Sequence, residues 1–348
     1  MQLKTPEGRS HETLMAVIRT HILTGEPVGS RVVSRQRKDG LSPASIRNIM
    51  LELEEEGYLE QPHTSAGRIP TDKAYRYYVS ICDANQPPSR ADEHLILSQL
   101  GEQAGVPEEV VFEKTSKVLS QISRNLGLVV CEPMERTILE HIHFVRMNDY
   151  RILVVIVCGL SRVRNRTIRV EAELSQEDLD SAAKYLNHHF RGWEFGKIQA
   201  ELVRRLAAEQ AAYDKVLKDL QQLHAQGMLE DISQVEVFLE GTSNLIGQPE
   251  LADPQSIREL LKALEGKENL VRLVNECIQS PGDPLQVVIG LPGRPSLLKS
   301  FALIGTPYCL EGKVTGRLAI LGPVRMHYER VIRAVGYIGR LFQSQELN

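Results

Sequence analysis

Long hydrophobic runs are missing from this sequence of 348 residues. Its longest apolar run, residues 152–160, is much shorter than the roughly 20 residues that a membrane-spanning helix requires. Residues 1–12 are too polar for a secretory signal peptide, which needs an apolar core segment. We therefore expect a cytoplasmic protein rather than a membrane or secreted one.

Closely spaced cysteines are also missing. The sequence has five cysteines, and even the closest pair, Cys131 and Cys158, is widely separated. This spacing excludes a disulfide framework and a zinc knuckle. The motifs of serine hydrolases, zinc proteases and Cys/His nucleophiles are absent as well. We therefore expect reduced, mostly buried thiols, no metal or cofactor, and no enzymatic activity.

Neither sign of charge is in large excess. The 41 Lys and Arg residues and 45 Asp and Glu residues give a net charge of −4. Because no global positive field exists to hold a polyanion, any surface for nucleic acid must be local. The hydrophobic fraction of 42% and the charged fraction of 25% are those of an ordinary globular protein. At roughly 100–200 residues per domain, the length indicates two or three domains.

The N-terminal 80 residues contain the pattern of three short helices. The first helix has an apolar stripe at helical spacing and ends at Gly25. A second helix begins at Ser30, which is a good N-cap, and ends near Arg37. The third begins with the N-cap Ser42 followed by proline, and Gly57 ends it. The predicted buried stripes of the first and third helices are Leu14, Val17, Ile18, Ile22, Ile46, Met50 and Leu53.

Two of these helices joined by a tight turn, with a supporting helix before them, predict a helix-turn-helix. The segment after the third helix predicts a strand at 58–61, a loop tip at 63–67 and a returning strand at 68–70. A short hairpin in this position is a wing. The sequence therefore predicts a winged helix-turn-helix over residues 1–82.

The charges of this segment favour DNA as its partner. Residues 31–47 hold five basic side chains and one acidic side chain, whereas the acids of the third helix lie in its C-terminal half. In helix-turn-helix docking, the N-terminal residues of the recognition helix enter the major groove. Arg47 and Asn48 are predicted to read bases, because their side chains can form bidentate hydrogen bonds with guanine and adenine.

The remaining DNA-binding candidates lie at the groove end of the third helix or are placed to contact phosphates, which position a protein without reading sequence. The full predicted set is Ser30, Arg31, Ser34, Arg35, Ser42, Ala44, Ser45, Arg47, Asn48, His63, Thr64, Ser65 and Arg68. The alternative is a solvated helix face on a winged helix that binds another protein.

The rest of the chain alternates between helical and strand-like blocks. A polar stretch with two adjacent prolines predicts a linker at 83–92. Strand-like segments, then a helical block from about 175 to 227, then strands and a closing helix follow. This order is typical of a helical unit inserted into an α+β domain.

Two weaker patterns remain open. Arg162, Arg164 and Arg166 share one face of a predicted strand, which suits either an anion site or, more simply, a solvated edge strand. Histidine pairs at 141 and 143 and at 188 and 189 lack a third ligand of matching spacing, so we predict no metal there.

Several long motifs resemble the HrcA family, the heat-inducible transcription repressors of bacteria. The N-terminal ones are GEPVGSR at 25–31, LSPASIRN at 41–48, LEEEGYL at 53–59 and QPHTSAGRIPTD at 61–72. Further matches are GTSNL at 241–245 and GRLAILGPVRM at 316–326, so the resemblance covers essentially the full chain.

The resemblance implies a homodimer that binds an inverted-repeat operator called CIRCE, ahead of chaperonin and DnaK-type chaperone operons. It also implies folding assistance from the chaperonin GroEL. The expected fold is α+β, with an N-terminal winged helix-turn-helix and a GAF-like domain that contains an inserted α-rich dimerisation domain. The expected bounds are 1–82 for the winged helix, 83–92 for the linker, 93–169 and 253–348 for the GAF-like domain, and 170–252 for the insert. A GAF-like domain also leaves open a regulator that responds to a small molecule.

Overall fold

The computed structural model divides into two compact units, with the second inserted in the sequence of the first. Unit 1 combines Met1–Val130 with Val237–Asn348, and unit 2 is Cys131–Glu236. Both units contain helices and strands, which confirms the expected α+β class. The structure describes residues 6–37, 39–63, 66–101, 106, 108–131, 138–148, 150–158, 162–171, 174–206, 215–229, 236–251, 253–278, 285–291, 296–310 and 313–344.

The helices are numbered along the chain as α1 (Gly8–Thr24), α2 (Ser30–Gln36), α3 (Pro43–Glu55), α4 (Asp72–Ser80), α5 (Arg90–Leu100), α6 (Glu108–Ser123), α7 (Gln176–Phe190), α8 (Phe195–Leu206), α9 (Lys215–Ala225), α10 (Thr242–Leu245), α11 (Pro254–Glu265), α12 (Lys267–Cys277) and α13 (Tyr328–Ser344). The strands are β1 (Leu59–Glu60), β2 (Ile69–Pro70), β3 (Leu126–Cys131), β4 (Leu139–Arg146), β5 (Arg151–Cys158), β6 (Arg162–Arg169), β7 (Val237–Glu240), β8 (Gln286–Ile289), β9 (Phe301–Leu310) and β10 (Lys313–Pro323).

The first three helices begin and end where local chemistry dictates. Helix α1 stops at Gly25, whose φ of 72° lies in the left-handed region and whose N–H donates to the His21 carbonyl. Helix α3 starts after Ser42, whose Oγ accepts the Ser45 N–H at 3.1 Å, and Pro43 takes its first position. These ends agree with the sequence prediction. The helices share a core of Leu14, Val17, Ile18, Val33, Ile46, Met50 and Leu53.

Helix α4, which was not predicted from the sequence, docks the N-terminal helices on the rest of unit 1. It begins after Thr71, whose Oγ1 accepts the Ala74 N–H at 3.4 Å. Tyr75 and Tyr78 pack against Tyr328 of α13, with ring centroids 5.9 and 6.3 Å apart. The three tyrosines are buried, so this contact is an apolar core between α4 and α13.

The remainder of unit 1 is built on a five-stranded sheet in the order β7-β3-β10-β9-β8. Helix α13 packs on β9 and β10, and helix α6 packs on β7 and β10. Phe112 of α6 joins Tyr308 and Phe342 at ring distances of 5.5 and 6.4 Å. The sheet and these two helices therefore share one aromatic core.

Unit 2 contains the antiparallel sheet β4-β5-β6 and helices α7 to α9. One face of the sheet packs on α7, and a single buried cluster runs from Leu139 on β4 to Leu229 after α9. Because the strands share their core with these helices, they belong to unit 2. This division differs from the predicted insert of 170–252, which left the three strands in the surrounding domain and extended past β7.

Candidate nucleic-acid interface

The turn between α2 and α3 is held by side-chain hydrogen bonds to the backbone. The Ser34 hydroxyl donates to the Leu41 carbonyl at 2.7 Å, and Ser42 caps α3. Val33 and Ile46 are fully buried between the helices. Ser30 is the first, half-buried residue of α2. Ser34 and Ser42 therefore fix the angle at which α3 leaves the turn.

The N-terminal half of α3 presents four predicted site residues to solvent. Ala44, Ser45, Arg47 and Asn48 are all exposed, whereas Ile46 between them is fully buried. Within the described parts of the chain, Arg47 and Asn48 form no hydrogen bond or ion pair. Their polar groups are therefore available to base edges without breaking an intramolecular bond.

Helix α2 adds two exposed cations to this surface. Arg31 and Arg35 lie four residues apart, so they share one face of the helix. Neither makes an ion pair with another described residue. Because an arginine forms charge-assisted hydrogen bonds with phosphate, this face can hold a nucleic-acid backbone beside α3.

Arg37 is different, although it contributes to the positive charge that the sequence places in residues 31–47. Its guanidinium forms ion pairs with Glu12, at 2.6 Å, and with Asp39, and it donates to the Thr13 hydroxyl at 2.9 Å. Its side chain is only 5% exposed. The hydrogen bond from Arg37 holds the pKa of Asp39 below its usual value. Lys38 lies outside the described residues. Arg37 thus joins α1 to the end of α2 and is not available to DNA.

The hairpin β1-β2 lies against the loop between α1 and α2. Leu59 pairs with Pro70, and Val28 and Arg68 exchange two backbone hydrogen bonds of 2.9 Å. A Cβ on Gly67 would lie 2.5 Å from the Val28 carbonyl carbon, so only glycine permits this approach. The hairpin is therefore fixed to the helices at its base.

Arg68, which the sequence predicts to contact phosphate, already has an acidic partner within the chain. Its guanidinium binds the Glu54 carboxylate of α3, with Nε and Nη2 at 2.9 and 2.8 Å from Oε2, and its side chain is 12% exposed. Arg68 therefore ties the hairpin to α3 instead of facing solvent. His63 is exposed at the tip, while Thr64 and Ser65 lie outside the described residues.

Comparison with known proteins identifies the family. The family model for the HrcA protein C terminal domain matches residues 109–332. A heat-inducible transcription repressor HrcA of Geobacter sulfurreducens is 38% identical over 96% of both chains. That of Syntrophobacter fumaroxidans is 31% identical over 97% of this chain and 96% of its own. This chain belongs to the HrcA family.

The two kinds of HrcA match cover different parts of the molecule. The family model begins at residue 109 and so leaves out α1 to α5, whereas the full-length relatives align with these helices as well. A crystal structure of a hypothetical protein is similar in fold, with a TM-score of 0.69, 24% identity and 99% coverage of both chains. The family assignment thus extends to the helices that carry Arg31 and Arg47.

Other kinds of site find no support in the described parts of this HrcA chain. No group of three or more His, Cys, Asp or Glu residues there could hold a metal ion. None of the helices there has the length and apolar character that crossing a bilayer requires. The side chains of Arg162 and Arg164 lie outside the described residues, and β6, which carries them, is an edge strand of its sheet.

Proposed function

We propose that this HrcA-family chain is a DNA-binding repressor of heat-shock operons. The observation that carries the proposal is the exposed N-terminal half of α3, where Arg47 and Asn48 have no partner among the described residues. Residues 1–82 would act as a winged helix-turn-helix, with α3 in the major groove and β1-β2 as the wing. The names of the full-length relatives support repression that is relieved by heat.

The proposed DNA contacts fall into two groups, one to bases and one to phosphates. Arg47 and Asn48 read base edges, while Ala44 and Ser45 allow α3 to approach the groove closely. Arg31 and Arg35 bind the phosphates that flank the groove. The remaining backbone contacts come from Ser30, Ser42, His63, Thr64 and Ser65. Ser34, whose hydroxyl proton is donated to the Leu41 carbonyl, positions α3 instead.

The operator is an inverted repeat of the CIRCE type, bound by a homodimer. A two-fold operator requires a two-fold protein, because each half-site receives one α3. The dimer contact comes from unit 2, and the rest of unit 1 beyond the 83–92 linker is the GAF-like domain. The compact unit Cys131–Glu236 overlaps most of the predicted insert of 170–252, and its strands and helices share one core, which supports a separate domain here.

Regulation works through the fraction of protein that is folded and able to bind. The chaperonin GroEL assists folding in the cytoplasm, and unfolded client proteins compete for it during heat stress. Because globular proteins are stable by only about 5–15 kcal/mol, a decrease of about 1–2 kcal/mol lowers the ratio of folded to unfolded protein by a factor of about 5–30. Heat therefore relieves repression, and no catalytic step is needed.

The proposal is tested by transcription from a chaperonin-operon promoter with purified protein, RNA polymerase and either an intact or a scrambled operator. We expect repression only from the intact operator, its loss after a heat challenge, and its recovery when GroEL and ATP are added. Equal transcription from both templates before heating would contradict repression. Repression unchanged by heat, with or without GroEL, would contradict the regulatory part alone.

A further inference from the structure

A cavity of about 450 Å³ lies within unit 1 where the N-terminal helices meet α13. Its wall combines side chains of α1, α4, α5 and α13 with those of the neighbouring loops, and it includes Arg19, Leu23, Pro88, Arg330 and Arg333. Ligand pockets span roughly 300–1,000 Å³ and combine apolar walls with a few polar groups. The cavity has the size of a small-molecule site, and its wall contains none of the proposed DNA-reading residues.

The charges around this cavity do not balance. Three arginines face two acids, and each acid already has a partner. Arg19 donates to Glu329 at 2.9 Å, and Arg330 binds both oxygens of Asp92 at 2.9 and 2.6 Å. No hydrogen bond or ion pair to Arg333 is found in the described parts of the chain. One positive charge is therefore left over in the wall.

Arg333 shares one electrostatic neighbour with Arg19. Both arginines act electrostatically on the Cys82 thiol, whose pKa burial raises to about 11. Arg330 lies one helical turn before Arg333 on α13. Burial and then the charges of Arg330 and Arg124 lower the pKa of His327, so this end of the cavity already disfavours an additional cation.

The other part of the wall is apolar. Ile22 and Pro88 are buried, and Leu23 is 71% exposed beside them on α1. An exposed leucine and an uncompensated arginine in the wall of one cavity match a ligand with one charged end and one apolar end. Arginine suits the charged end because its planar guanidinium binds carboxylate or phosphate through two parallel hydrogen bonds.

We propose that this cavity binds a small organic anion, a carboxylate or a phosphate monoester. Its charged group is held by Arg333, and its apolar part lies against Leu23 and Pro88. The ligand contacts both α1 and α13, so it stabilises the docking of the N-terminal helices on the rest of unit 1. Binding to the folded state alone raises the unfolding temperature as the ligand concentration increases.

The test is calorimetric titration of the full-length protein at constant ionic strength, with sodium chloride as the balancing salt. Phenyl phosphate and benzoate are the probes, and neutral benzamide is the uncharged control of similar shape. We expect one saturable site per chain for at least one of the two anions. Which anion binds more tightly distinguishes a phosphate site from a carboxylate site.

Two variants locate the site. Arg333→Gln should weaken binding at least tenfold, because it removes the only guanidinium in the wall without a partner among the described residues. Leu23→Trp should also weaken it by filling the mouth of the cavity, and it changes an exposed side chain that the core does not need. Arg90→Gln is the matched control, since Arg90 is an exposed cation on α5 outside the cavity, and it should bind as the unaltered protein does.

The proposal fails if neither anion shows saturable binding, or if benzamide binds as tightly as the anions. It fails equally if both Arg333→Gln and Leu23→Trp retain full affinity. Circular dichroism and unfolding midpoints without ligand establish that each variant is folded. Because no DNA enters the experiment, a negative result leaves the proposed repressor function untouched.

Discussion

The five arginines of residues 31–68 fall into two groups that the sequence does not distinguish. Arg31, Arg35 and Arg47 are exposed and have no ion-pair partner within the described residues. Arg37 and Arg68 have side chains that are only 5% and 12% exposed, and each binds carboxylates of its own chain. The arginines of the first group can reach DNA without breaking an internal bond. Those of the second group hold the helices and the hairpin together.

The difference shows why a local count of charges overestimates the number of cationic side chains that are available to DNA. Glu12 and Asp39 neutralise Arg37, and Glu54 neutralises Arg68. An acid in the C-terminal half of α3 therefore does more than point away from phosphate, because Glu54 orients the wing. Changing one member of each group at a time shows whether stability or DNA binding responds.

Arg37→Ala should have the largest effect, and it should act on stability. The change removes hydrogen bonds to Glu12, Asp39 and Thr13, so we expect the free energy of unfolding to fall by about 3 kcal/mol, since bonds to charged groups contribute most. Chemical denaturation monitored by circular dichroism measures this. If stability were unchanged while DNA affinity fell, Arg37 would belong to the DNA-binding group.

Arg47→Ala should instead weaken DNA binding and leave the stability of the protein nearly unchanged. Removing a bidentate hydrogen bond with a base should weaken binding to the inverted repeat by about 2 kcal/mol and relax specificity at one position. Unfolding should be nearly unaffected, because Arg47 is exposed. Fluorescence anisotropy with a set of single-base operator variants measures both the affinity and the specificity. An equal decrease in affinity on every duplex would show that Arg47 contacts phosphate instead.

Arg31→Ala should weaken binding to every sequence alike, by about 1 kcal/mol per half-site. The salt dependence should also become flatter, because the slope of log K against log salt decreases by about 0.9 for each phosphate that the protein no longer neutralises. Affinities measured across a salt series test this directly. A decrease confined to the inverted repeat would contradict a role in binding the DNA backbone.

Arg68→Ala should have the smallest effect, a decrease in stability of about 0.5 kcal/mol. It breaks one ion pair, whose Glu54 side chain is 31% exposed, and such pairs contribute little. Glu54→Ala is the matched control: it breaks the same pair from the acidic side and should lower stability by a similar amount. The double variant should lower the free energy of unfolding by no more than either single variant does. A decrease in DNA affinity in Arg68→Ala alone would restore the phosphate contact that the structure argues against.

The helical frame of the DNA-binding segment is predictable because its signals are local. Gly25 ends α1, and Ser42 with Pro43 begins α3, as their backbone preferences require. Such features depend on a few adjacent residues and need no knowledge of the tertiary fold.

Features that depend on distant partners were not predictable. Glu12 and Glu54 lie far from Arg37 and Arg68 in sequence, so nothing local indicated that these arginines are paired. Helix α4 was missed because its buried tyrosines are recognisable only against Tyr328 of α13. The division into compact units was not predictable for the same reason: alternation shows that β5 has a buried face, but not that α7 packs on the sheet that contains it.

The central claim is that α3 reads an inverted repeat while Arg37 only supports the frame. The most direct test measures binding of the unaltered protein, Arg47→Ala and Arg37→Ala to a CIRCE-type duplex and to a scrambled duplex of equal length, across a salt series. We predict that the unaltered protein prefers the inverted repeat by orders of magnitude, and that Arg47→Ala loses most of this preference. The folded fraction of the Arg37→Ala variant should retain the preference for the inverted repeat. Equal binding of the unaltered protein to both duplexes, with GroEL and ATP present to assist folding, would contradict the account.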